Sequence, residues 1–66
     1  MAAGPPREVY FEHTVIGAVV RVAAVDAATA IEVQVMGPTS ASRADLEQLA
    51  LQKLKARLAR EDPGGR

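Results

Sequence analysis

Three short segments with a strand's period of two, punctuated by Gly17, "DAATA" and "GP", are followed by a single segment with a helix's period. A chain of this pattern has one helix with which to cover a sheet, and a sheet has two faces. The fold and every functional reading below follow from that inequality.

From Arg7 to Thr14 the alternation places Val9, Phe11 and His13 on one face, with Glu8, Tyr10, Glu12 and Thr14 on the other. Gly17 follows β-branched residues and predicts a tight hairpin with glycine at a positive φ. A two-residue turn at Ile16-Gly17 sets Val15 opposite Ala18, Phe11 opposite Val22 and Glu12 opposite Arg21. Ile16 disfavours the positive φ of that turn, and a longer loop would keep the same facing. The next segment, "AVVRVAAVD", is apolar on both faces except at Arg21. "DAATA" then interrupts, with Asp26 placed to bond turn amides. A loop of residues 27–30 sets Asp26 opposite Ile31, Ala24 opposite Val33 and Val22 opposite Val35. "IEVQVM" alternates again, and "GP" ends the third strand.

The helix begins after Ser42, which with Asp45 resembles a capping box. "RADLEQLALQKLKARLAR" is rich in strong helix formers. Leu46, Ala50 and Leu54 form its apolar row, widened by Leu51 and Leu58. The expected architecture is α+β: a three-stranded antiparallel β-meander with one C-terminal α-helix packed on one face (β-β-β-α). Residues 7–60 form the single domain, between flexible tails at 1–6 and 61–66.

The chain has 66 residues, zero formal net charge and no cysteine. A domain this small buries roughly 60% of its unfolded surface, so it needs well-made packing or self-association. Disulfides and thiolate metal sites are excluded. The neutral balance gives no global attraction to nucleic acid or anionic membranes. "MAAGPPR" lacks the basic and apolar regions of a signal peptide, and no segment approaches the ~20 apolar residues of a membrane span. A cytoplasmic location is expected.

"REVYFEH", a glycine, "VRVAAVD", "EV", "GP" and a "LEQLALQKL" helix resemble a short uncharacterised bacterial family. Its members read EVYFEF, G-x-x-V-K-V, a DPATG turn, E-V, GP and a helix with A-L-x-K-L. The resemblance runs from Arg7 to Arg60 and implies no activity. The chain departs from it at His13, where the family has phenylalanine, and at Ala27 and Ala30, where the turn has proline and glycine; the relatives' glycine implies a left-handed conformation at Ala30. Some relatives carry a serine hydroxymethyltransferase label. A chain this short cannot hold that large cofactor-dependent fold, and nothing around Lys53 or Lys55 forms a Schiff-base pocket.

Little in the sequence points to chemistry. His13 is the only histidine, with no second ligand and no nucleophile beside it; a partly buried ring with one hydrogen-bond partner at the core rim is expected. No cofactor, metal or catalytic residue is expected, and the chain is read as non-enzymatic. The strongest signal lies on the sheet face away from the helix. There Tyr10, Val19, Ala23, Val25 and Met36 surround Arg21, framed by Glu12, Glu32 and Gln34, where a solvated face would be polar. This predicts a protein–protein interface, in a homodimer or a subunit of a larger complex. The alternative is a weak nucleic-acid or anion binder using Arg43 at the helix N-terminus and the stripe Lys53, Arg57 and Arg60.

Overall fold

The computed structural model describes residues 8–61. Strand β1 spans Val9–Ile16, β2 Val19–Asp26 and β3 Glu32–Pro38, and helix α1 spans Arg43–Glu61. The sheet is antiparallel in the order β1-β2-β3, as the sequence implied. The expected tails lie outside the described residues except for Glu61. That residue is the last of α1, where its carboxylate accepts from Arg57 Nε at 2.9 Å.

The first hairpin differs from the sequence-based register. Ile16 pairs with Val19, so the turn residues are Gly17 and Ala18 rather than Ile16 and Gly17. Phe11 therefore faces Ala24, not Val22, and Arg21 stands opposite Thr14, not Glu12. The cause is backbone sterics: Gly17 takes φ 62°, which Ile16 could adopt only with strain, so the β-branched residue stays in the strand. The register moves by two residues, and every side chain keeps its face.

The second hairpin has the expected register, with Ala24 opposite Val33 and Val22 opposite Val35. Its loop is organised by Asp26, which is fully buried. The Asp26 carboxylate accepts from the Thr29 amide at 3.0 Å and from the Thr29 hydroxyl at 2.7 Å. The Asp26 amide donates to the Ile31 carbonyl at 2.9 Å, and the Ala30 amide to the Asp26 carbonyl at 2.7 Å. Ala30 takes φ 63°. A short polar side chain at the strand end thus supplies acceptors that four residues of irregular backbone could not find in each other.

Ser42 caps α1: its Oγ accepts from the Asp45 amide at 3.2 Å, and its carbonyl accepts from the Leu46 amide at 3.1 Å. The core joins Val20, Val22, Ala24 and Val33 of the sheet to Leu46, Ala50 and Leu54 of the helix. Val9, Phe11, Ile31, Val35, Ala41 and Leu58 pack around it. The "GP" pair does more than end a strand. Gly37 lies within β3, and a Cβ there would stand 2.8 Å from Leu46 Cδ2, so glycine lets the first helical turn press onto the sheet. The helix lies over β2 and β3, with β1 beside it.

Two substitutions test the second hairpin. Ala30→Gly relieves a left-handed alanine and is expected to stabilise the domain by about 0.5–1 kcal/mol after the glycine's extra unfolded-state entropy is counted. Asp26→Ala strands the Thr29 donors and is expected to cost about 2–3 kcal/mol. Urea unfolding followed by circular dichroism reads both. An Ala30→Gly chain no more stable than the parent would contradict the strain assigned to that turn.

Candidate interaction surfaces

The face of the sheet opposite α1 is open. Reading across the register, its first rank is Tyr10, Val25 and Glu32; the second is Glu12, Ala23 and Gln34. The third is Thr14, Arg21 and Met36, and the fourth is Ile16, Val19 and Pro38. Tyr10, Ile16 and Met36 are 57%, 53% and 63% exposed, large values for apolar side chains. Val19, Arg21 and Val25 are half-buried between their cross-strand neighbours.

The six residues assigned to this face from the sequence are all on it. Two details change. Ala23 is already buried at 4% exposure, so it forms a shallow floor rather than contact area. Most apolar groups also stand at the two ends of the strands: Tyr10 and Val25 at one, Ile16, Val19 and Pro38 at the other, with Glu12, Gln34, Thr14 and Arg21 between and Met36 beside Arg21. Ile16 escaped the sequence reading because it was placed in the turn. Its β-branched side chain beside Gly17 was the signal that it belongs to the strand.

The corrected register changes the electrostatics of the band. Arg21 has Thr14 and Met36 as cross-strand neighbours, both uncharged. Glu12 has Ala23, and Glu32 has Val25. The face therefore presents one cation and two carboxylates whose directly opposite neighbours are neutral. At the end of the face, the Tyr10 hydroxyl donates to Glu8 Oε1 at 3.2 Å. This bond raises the Tyr10 pKa above the ordinary phenol value, because ionisation would forfeit it, and the negative charge of Glu8 acts in the same direction.

His13 points to the helix side. Its Nε2 lies 2.8 Å from Glu47 Oε2, with side-chain exposures of 24% and 37%. The ring sits at the rim of the core with one partner, as expected. Among the described residues, no three His, Cys, Asp or Glu side chains come together as a metal cluster would.

The basic residues are not gathered into one site. Arg43 opens the helix and Arg60 lies in its last turn, about 25 Å apart along the axis. Between them, Lys53 and Arg57 flank β3 beside Glu32, Gln34 and Met36. Lys53 Nζ donates to the Gln34 carbonyl at 2.8 Å, and Arg57 is paired with Glu61.

A feature that the sequence reading missed is a groove of about 310 Å³ between β1 and α1, lined by Val9, Phe11, Leu51, Leu54, Lys55 and Leu58. The signal was available in the side-to-side spread of the helix row. Leu51 and Leu58 extend it beyond what two strands need.

The chain belongs to a family defined as a domain of unknown function (DUF6898), whose model matches residues 6–61. Comparison with curated proteins and with solved structures gives no match. Among the described residues, no helix is long and apolar enough to cross a membrane.

If His13 is a rim residue, His13→Phe is expected to fold and to stay within about 0.5 kcal/mol of the parent. A part-exposed pair contributes about 0–1 kcal/mol, and the larger ring offsets its loss with apolar contact. Guanidinium unfolding at neutral pH measures this. A loss above about 2 kcal/mol would show that the Glu47 contact organises the rim.

Proposed function

We propose that this chain is a non-enzymatic protein–protein interaction module that self-associates through the open face of its sheet. The carrying observation is that face itself: Tyr10, Val25 and Glu32 at one end and Ile16 and Val19 at the other flank a band holding Arg21, Met36 and Glu12. Exposed apolar groups with a few oriented charges among them are the composition of an interface. Sheets that pack face to face keep their strands within about 30° of each other.

One two-fold arrangement satisfies the pattern. An axis midway between the two sheets, parallel to them and across the strands between the second and third ranks, sets Val19 over the partner's Val25 and Tyr10 over the partner's Ile16. Arg21 then lies over the partner's Ala23, whose small side chain leaves room for it. The partner's Glu12 stands in the same rank. Each copy supplies the carboxylate that the other's Arg21 lacks across its own strands, which is what a guanidinium needs when it leaves water.

The experiment is light scattering on a sizing column over a range of concentrations, with circular dichroism alongside. The parent chain is expected to be a dimer. Val19→Glu and Arg21→Glu are each expected to give folded monomers, because they place unpaired carboxylates at the joint. Combining Arg21→Glu with Glu12→Arg reverses the pair and is expected to restore the dimer. A parent chain that remains monomeric at roughly 500 μM overturns self-association. A Val19→Glu chain that stays dimeric shows that another surface holds the pair, with the exposed Leu49 on the outer face of α1 the next to be tested.

A further inference from the structure

The two edges of the sheet are treated differently by the fold. At β3, the Asp26 amide bonds the Ile31 carbonyl and the Thr39 amide bonds the Ala18 carbonyl. Stepping by two along that register, Glu32, Gln34 and Met36 turn their backbone groups outward. That edge is guarded: Lys53 occupies the Gln34 carbonyl at 2.8 Å, and Pro38, in the same series, has no N–H. At β1, the Ala27 amide bonds the Glu8 carbonyl at 3.0 Å, which puts Tyr10, Glu12, Thr14 and Ile16 in hydrogen-bonded register with β2. Val9, Phe11, His13 and Val15 therefore direct their N–H and C=O groups away from the sheet.

Directly beside that edge, on the helix side, lies the groove of Val9, Phe11, Leu51, Leu54, Lys55 and Leu58. A strand added to β1 would set every second side chain over this groove. We propose that β1 and the groove bind an extended segment of another protein by strand addition, and that the segment carries apolar residues at alternate positions and a carboxylate among them. Main-chain pairing supplies the contact, and the groove selects the side chains. The carboxylate is assigned from Lys55, the one charged side chain of an otherwise apolar lining.

The same charge argues against a second copy in this place. Two β1 strands paired about a two-fold axis would offer neither Lys55 amine a carboxylate. The inward face of β1 offers them only Val9, Phe11, His13 and Val15, and Glu47 is held by His13. This site is independent of the open face, which lies on the other side of the sheet.

The test uses the whole chain labelled with nitrogen-15 and an acetylated peptide, Thr-Val-Thr-Val-Thr-Glu-Thr-Val-Thr, followed by chemical shift and by amide hydrogen exchange. Saturable shifts are expected at Val9, Phe11, His13 and Val15 and along Leu51–Leu58, with slower exchange of those four amides. N-methylation of the valines and glutamate or of the threonines, in two separate peptides, is expected to abolish binding in only one of them, because one series of amides faces β1. Replacing the peptide's glutamate with lysine is expected to weaken binding roughly threefold, and Lys55→Glu, an exposed helix position, to reverse that preference. No saturable shift up to roughly 2 mM peptide overturns the proposal, as do shifts confined to the open face. Protection of the same four amides that grows with protein concentration alone, without peptide, overturns it in favour of a second copy. An unchanged preference in Lys55→Glu overturns the acidic character of the partner.

Discussion

A helix with its side chains is about 10 Å across, and neighbouring strands lie about 4.8 Å apart. One helix therefore covers two strands of a three-stranded sheet. In this chain α1 takes β2 and β3, and the inward side chains of β1 are left to find cover at its flank. Phe11 and Val9 meet Leu51, Leu54 and Leu58 there, but the contact is a groove and not a closed layer. The opposite face receives no cover from the described residues. Both candidate surfaces thus have one origin, the shortage of helix relative to sheet.

The position of the helix is fixed where the chain is small. Ala24 and Ala50 are fully buried in the core, and Gly37 leaves room for Leu46 where a methyl group would collide. These residues let α1 approach over the middle and third strands more closely than large side chains would allow. The Asp26 loop sets the register of the same two strands. Tight packing on one side and open space on the other then follow from the same choice of residues.

Most of the fold was legible in the sequence because local and global signals agree. The alternation of β1 and β3, the caps at Asp26 and Ser42, and the Leu46-Ala50-Leu54 row each point to one architecture. The left-handed Ala30 was legible through the resemblance, since the similar family has glycine at that position. The first hairpin was read two residues short because glycine was set at the second turn position, and period-two patterning cannot distinguish registers that differ by two. For the open face, patterning gave the membership but not the distribution. That distribution depends on cross-strand neighbours, and so on the turn: with Ile16 in the strand, Arg21 loses Glu12 as a neighbour and an apolar end appears beyond it. The groove was hidden for another reason. It arises from the lateral placement of the helix, which no single segment encodes.

The difference between the two sheet edges bears on how such a chain avoids uncontrolled assembly. A sheet with two free edges can add strands in both directions without limit, which is the route to fibres. Here the β3 edge carries Lys53 on the Gln34 carbonyl and a proline at its end, so growth on that side is hindered. Strand addition to this sheet is thereby directed to β1, whether or not two copies are joined through their open faces. A face-to-face dimer would hold two such β1 edges, one per copy, on separate sheets. In the proposed assembly the open face is closed by its own copy, and the guarded β3 edge leaves β1 as the edge for strand addition.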